Sequence, residues 1–480
     1  MAQSDLHERL LARPTLAADR TAFDMAILAS MTDFVQEGVE VVNLIDTNGH
    51  RVSGANSQGL ACYEQAANAL LCMVDDPVAS VASALAASPT MTMAHVLNAW
   101  LHLLGTDPGG DVVARASCDA AAALDADDRE RAHIEAARAL AAGRWREAGL
   151  RLEDLSIRYP RDSLALQVGH QIDFFRGDSR MLRDRIARAL TAWDASMPGW
   201  HALLGMHAFG LEETGDYAAA EAQAQRAVEL QPRDSWAWHA MAHVHEMRNA
   251  PLSGIAWLEP NRATWAEGSF LATHNTWHLA LFHLELDHQD EALRLFDEAI
   301  GLESSLVMDL LDATSMLWRL QLCGVDVGNR FEPVAERWAA IGGAGQYAFN
   351  DWHAMMAYTG AGQVDRQAAL LDVMRSATES DLDNADFTRW VGLPAARAVI
   401  ALGQGDARTA VALLREIRSG AYRFGGSHAQ RDLIDQLLLE AAVRSGDGQL
   451  AGALAAERKA IRPRSVQTVR SASNSLRQCA

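Results

Sequence analysis

Residues 236–285 hold the side chains best suited to chemistry. They include WAWHAMAHVHEM and, after a break, THNTWHLALFHLE, and each stretch carries a His-x-x-x-His pair: His239 with His243, and His274 with His278. A spacing of four puts both side chains of a pair on one helical face, a turn apart. Two such helices packed side by side would aim four imidazoles and two carboxylates, Glu246 and Glu285, into one space. Nine of the 17 histidines lie between positions 201 and 288, which is not the distribution of a solvated surface.

Three chemistries fit such a set. Neutral imidazoles on two helices are how helical proteins hold a divalent metal, with His239, His243, His274 and His278 as its ligands. A metal-free alternative is acid–base work by His239, His243 or His278 with Glu246. The third is recognition without turnover, with His274, Asn275, His170, His353, Glu285, Trp238 and Trp277 gripping a polar ligand. Against all three stands the plainer reading of buried histidines bonded to backbone carbonyls in an aromatic interior. His245-Glu246 is followed by Asn249 where a zinc peptidase needs its second histidine, so that motif fails.

Other classes are set aside by what the chain lacks. Lys459 is its only lysine, and it lies near the C-terminus. Walker A loops, pyridoxal phosphate and Schiff-base chemistry all need a placed lysine. No G-x-S-x-G or G-x-G-x-x-G motif occurs, against serine hydrolases and Rossmann enzymes. A net charge of −20 argues against a nucleic-acid partner. The uncharged run 77–106 is broken by Pro89 amid Ser and Thr and reads as two buried helices, not a membrane span. Five scattered cysteines without C-x-x-C spacing fit a reducing cytoplasm, and no basic-then-apolar leader opens the chain.

The elements that must position the histidines follow from internal repetition. PRDS occurs at 160–163 and 232–235, and Gly143-Arg144-Trp145 and Gly215-Asp216-Tyr217 show the same shift of 72. That is two units of about 34 residues with small insertions, the tetratricopeptide period. Turn signals recur near Gly143, Gly177, Gly215, Asn249, His288, Gly324, Gly362, Gly405 and Gly446. No segment alternates with period two, so no sheet is expected. The expected fold is all-α: a right-handed tetratricopeptide-repeat superhelix whose first helices line a concave groove. Placing Trp238 and Trp277 at the consensus tryptophan turns His239, His243, Glu246, His278 and Glu285 into that groove. The division expected is a helical N-terminal extension over 1–56, the repeat array over 57–457, and a basic, solvated, flexible tail over 458–480.

WAWHAMAHVHEM, LATHNTWHLALFHLE, PRDSLAL…GHQIDFF and SMLWRLQLCGVDVG resemble the tetratricopeptide repeat protein 38 family, from about residue 55 to about 440. The resemblance implies that the two i, i+4 histidines of the helix over 236–247, and His274, Asn275 and His278 of the next repeat, are family features. It also implies family positions for His170 and His353. It implies a fold and no settled activity.

The sequence therefore predicts four imidazoles converging in the groove, with Glu246 the nearest carboxylate and Asn275 an orienting amide. Its preferred use is a hydrolase-like or metal-assisted site for a small polar substrate. The alternative is a non-catalytic adaptor for a peptide or protein, which would need an open groove with basic side chains. His and Glu are expected there instead.

Overall fold

The computed structural model describes residues 44–304 and 306–465. The apolar segment Phe23 to Val42 lies outside the described residues. Of the extension over 1–56, the described part begins at Leu44, and residues 44–52 form a minimal hairpin of β1 (Leu44–Ile45) and β2 (Arg51–Val52). Asp46 Oδ1 accepts from the amides of Asn48 (3.0 Å) and His50 (2.8 Å), and Gly49 takes a positive φ of 87°. This aspartate turn holds the chain out of helix.

All else of length is helical. In order come α1 (Ser57–Cys72), α2 (Pro77–Ala87), α3 (Thr92–Leu104), α4 (Gly110–Ala122), α5 (Asp128–Ala141), α6 (Trp145–Arg158), α7 (Ser163–Phe175) and α8 (Ser179–Leu190). Then follow α9 (Trp200–Glu213), α10 (Tyr217–Leu230), α11 (Ser235–Met247), α12 (Pro251–Leu258), the short α13 (Arg262–Ala266), α14 (Ala272–Glu285) and α15 (Gln289–Leu295). The remainder is α16 (Val307–Leu322), α17 (Phe331–Ile341), α18 (Ala348–Gly360), α19 (Val364–Ala377), the short α20 (Asp383–Phe387), α21 (Leu393–Gly403), α22 (Ala407–Ile417), α23 (His428–Arg444) and α24 (Gly448–Ile461). Apart from α13 and α20 these pair into antiparallel hairpins, each first helix packing on its own second helix. The all-α repeat architecture is as expected, and the run 77–106 is indeed the two helices α2 and α3. No helix among the described residues is long and apolar enough to cross a membrane.

Two local devices set the repeat. The residue closing many first helices adopts left-handed backbone: Gly143, Gly177, Gly215, Gly324, Gly362, Gly405 and Gly446, with Asn249 and Asp287 in the two repeats that carry the histidine pairs. Glycine takes that conformation without strain, and Asn and Asp tolerate it better than other residues. The repeated PRDS string supplies N-caps. Asp162 accepts from the Ala165 amide and Asp234 from the Ala237 amide, each at 3.0 Å. Each aspartate also meets a histidine of the preceding first helix, His133 at 2.9 Å and His201 at 2.7 Å. The cap thus locks one hairpin onto the last.

First helices α9, α11, α14, α16, α18 and α21 pack each against the next, so their inward faces form a continuous wall. The superhelix then closes on itself. On α6, Trp145 stacks on Tyr347 at 5.3 Å and Arg146 bonds Asp386 at 2.8 Å, while α23 lies against α11 and α16. The concave face around the histidine pairs is a covered interior.

The tail expectation is corrected for residues 458–465. Arg458 ends in a two-pronged bond to Asp432 (2.8 and 3.1 Å), and Arg462 pairs with Glu246 at 2.8 Å. Both arginines are buried. Buried carboxylates inside the superhelix need cations, and the C-terminal segment supplies them.

Candidate functional site

Asp234 starts α11, which carries His239 and His243 on one face; α14 lies beside it with His274 and His278. The ring centroids of His239 lie 4.5 Å from His243, 4.8 Å from His274 and 5.3 Å from His278. Those of His278 lie 4.5 Å from His243 and 5.0 Å from His274. One nitrogen from each ring falls within 4.8 Å of the other three. All four side chains are buried. The sequence expectation of convergence describes this arrangement.

Their hydrogen bonding is unusual for buried imidazoles. His274 Nδ1 donates to Asp312 of α16, at 2.9 Å from one carboxylate oxygen and 3.0 Å from the other, which turns its Nε2 inward. His243 Nδ1 faces Glu212 of α9 at 3.6 Å. The Nε2 atoms of His239 and His243 point at one another across 2.9 Å. His239 Nδ1 and both nitrogens of His278 have no hydrogen-bond partner among the described residues. Buried polar groups are rarely left so, because each costs about 1–3 kcal/mol. The plainer reading, imidazoles satisfied by backbone carbonyls, does not describe these four.

Burial, and then the charge of neighbouring imidazoles, holds His239, His243 and His278 well below the usual histidine range. Near neutral pH these rings are neutral and offer lone pairs. Tetrahedral coordination at 2.0–2.1 Å separates ligand nitrogens by roughly 3.3 Å. The set, with its closest pair at 2.9 Å and all within 4.8 Å, brackets that value. Aromatic rings wall it. Trp277 stacks on His274 (5.3 Å, 10° between planes), Phe209 stacks on His239 (5.5 Å), and Trp236 tilts against His239 at 4.9 Å.

The other candidates fall differently. Glu246 is not the carboxylate that meets the imidazoles; Asp312 and Glu212 are. Glu246 lies three residues beyond His243, bonded to Arg462, and burial pushes its carboxyl up. Glu285 accepts from Asn249 Nδ2 at 3.3 Å and stands 3.8 Å from Arg462. Asn275 donates to Ser235 at 3.3 Å, tying α14 to the start of α11. Trp238 bonds the Pro232 carbonyl and leans on Trp257 at 4.3 Å, which makes it a packing residue. His170 stands one layer out, edge-on to Phe209 and Trp236, and His353 donates to the Phe349 carbonyl of its own helix at 2.8 Å. The interior is also more basic than expected: Arg319, Arg458 and Arg462 are all buried beside Glu246, Glu285 and Asp432. Sequence reasoning missed Asp312 and Glu212. Both sit on the inward face of first helices, where the rule applied to α11 and α14 would have found them.

No family model matches the chain. Among solved structures, it is similar to the human IFIT1 dimer with PPP-AAAA, at 12% identity over 89% of this chain and 96% of that one, with a TM-score of 0.39. It is likewise similar to the human IFIT1 dimer with m7Gppp-AAAA, at 13% identity over 89% and 96%, with a TM-score of 0.41. The P58(IPK) TPR domain matches at 11% identity over 74% and 98%, with a TM-score of 0.21. The assignment to helical repeats of the tetratricopeptide type rests on the hairpins themselves, and these likenesses carry nothing about ligands.

Proposed function

We propose that this chain is a tetratricopeptide-type repeat protein built around a buried four-histidine site for a late first-row divalent metal such as zinc. The observation that carries the reading is the convergence of four ring nitrogens, one from each histidine, in a buried interior where His239 and His278 keep nitrogens without hydrogen-bond partners among the described residues. Two further features support it. Burial holds His239, His243 and His278 neutral near pH 7, as ligands must be. The far nitrogen of His274 is held by a carboxylate, the arrangement that orients metal-bound histidines. His239, His243, His274 and His278 would hold the ion; Asp312 and Glu212 would offset its charge.

The finer reading is metal-assisted hydrolysis of a small polar substrate. It needs one coordination position open to water. His278 is the ligand to yield it, since neither of its nitrogens has a hydrogen-bond partner among the described residues. A non-catalytic peptide adaptor finds less support, because α23 covers the face where an extended peptide would lie. Membership of the tetratricopeptide repeat protein 38 family is proposed on the motifs alone. We also read residues 57–457 as one array, and a cytoplasmic setting fits Cys62, Cys72 and Cys118, which are free.

Elemental analysis of purified full-length protein, with zinc and cobalt titration of the chelator-stripped form, tests the reading. One equivalent per chain is expected, lost in His239→Ala and held more weakly in His278→Ala. A folded wild type that takes up neither ion at stoichiometric concentration refutes it.

A further inference from the structure

A second polar cluster lies one turn further along the same two helices. Glu246 follows His243 by three residues on α11, and Leu281 follows His278 by three on α14. Both line a small cavity with Glu285, Arg319, Asp432 and Gln436, with about 10 Å³ of room for the centre of a water-sized group. Two acceptor atoms of its lining residues, Glu246 Oε2 and Gln436 Oε1, are buried and have no hydrogen-bond partner among the described residues.

The cations beside this cavity differ in how firmly they are committed. Arg458 is bound through two prongs to Asp432. Arg319 donates to the carbonyls of Ala429 (2.8 Å) and Ser315 (3.3 Å) and lies 5.0 Å over the Trp277 ring. Glu246 and Glu285 instead share Arg462, at 2.8 and 3.8 Å, and its Nε stands 3.8 Å from Asp432. Arg462 is the first residue past α24. The segment it begins is pinned further by the Arg464 amide, which donates to Asn249 Oδ1 at 2.7 Å. A guanidinium carried just past α24 therefore fills a three-carboxylate pocket next to the histidines.

We propose that Glu246, Glu285 and Asp432 form a guanidinium-binding site, occupied here in cis by Arg462, which an arginine-bearing ligand can take over as the C-terminal segment swings out. The exchange is coupled to access. Removing Arg462 without replacement strands Glu246 and Glu285 in the interior, which is strongly unfavourable. An incoming guanidinium compensates them, so ligand and tail compete for one place. With the tail displaced, the cavity opens beside His243 and His278. The guanidinium site stands whether or not the histidines hold metal; only the use of the opening rests on that reading.

The test uses full-length, chelator-stripped protein, so its outcome does not depend on the metal. Arg462→Ala is titrated calorimetrically with L-argininamide, and with lysinamide as a cation lacking the planar fork. One argininamide per chain is expected, bound at least tenfold more tightly than by wild type and than lysinamide. Diethylpyrocarbonate labelling, read by mass spectrometry, is expected to reach His243 and His278 at least tenfold faster in Arg462→Ala, and argininamide to restore protection. If a folded Arg462→Ala binds no argininamide, the site is overturned. Labelling equal to wild type overturns the coupling. Should circular dichroism show Arg462→Ala unfolded, Arg462→Lys keeps the charge without the fork. Its labelling must then rise and be suppressed by argininamide; a wild-type rate overturns the proposal.

Discussion

Replacing Asp312 by Asn separates a metal centre from a histidine cluster kept for packing. Asp312 is buried, and His274 Nδ1 stands 2.9 and 3.0 Å from its two oxygens. An asparagine oxygen still accepts that bond, so ring orientation survives while the negative charge is lost. A neutral bond is about half as strong as a charge-assisted one. Loss of such an outer partner typically lowers metal affinity 10- to 100-fold, or about 1.4–2.7 kcal/mol. Without metal the sign reverses. Burial pushes the Asp312 carboxyl above the usual range, the His274 charge only partly opposing it, so the charged form is strained and Asn relieves it. The expected signature is zinc affinity reduced 10- to 100-fold by chelator competition, with the melting temperature of the metal-free variant equal to or above wild type. Glu212→Gln, across the longer 3.6 Å gap to His243, should cost less affinity. Unchanged zinc affinity in Asp312→Asn, or a metal-free variant destabilised by several kcal/mol, would show that Asp312 serves the fold and refute the argument.

Further perturbations address the scaffold. Burial lowers His170 and His353 to about 3 each, from a usual value near 6.5. The unfolded chain therefore binds more protons below pH 6.5, and stability present above that pH is lost as pH falls toward 3. The slope is about 1.4 kcal/mol per pH unit per group, or about 2 kcal/mol each at pH 5. Urea midpoints at pH 7 and pH 5 check this, and a midpoint independent of pH would contradict the burial argument. Asp234→Ala removes the α11 cap and the acceptor for His201, so a loss of about 1–2 kcal/mol is expected in denaturant melts; a loss below 0.5 kcal/mol counts against the cap. Gly177 has a φ of 67°, and a Cβ there would lie 1.7 Å from the Tyr422 carbonyl oxygen. Gly177→Ala should thus loosen the closure between early and late repeats, seen as faster amide exchange over 418–427; exchange unchanged there would mean that this contact does not hold the closure.

What was legible in the sequence follows from how far apart interacting residues lie. The repeat was visible because its devices are local: a left-handed turn residue such as Gly215, and a cap such as Asp234 one residue before its helix. The histidine pairs were visible because four residues on one helix fix a shared face. Helix phase also predicted that neighbouring first helices would bring the two pairs together. It could not choose which carboxylates would meet them. Glu212, Glu246, Glu285 and Asp312 all lie on inward faces, and only the stagger between helices brings Asp312 to His274 while Glu246 passes beyond the rings to Arg462. The same limit misplaced the tail. Arg458 and Arg462 have no acidic neighbours in sequence after Glu457, so by local charge they read as solvated. Their partners lie on α11, α14 and α23, and that pairing exists only once the superhelix has closed. Periodicity thus reports which side chains point inward; curvature and closure decide which of them touch, and at this site that decides the chemistry.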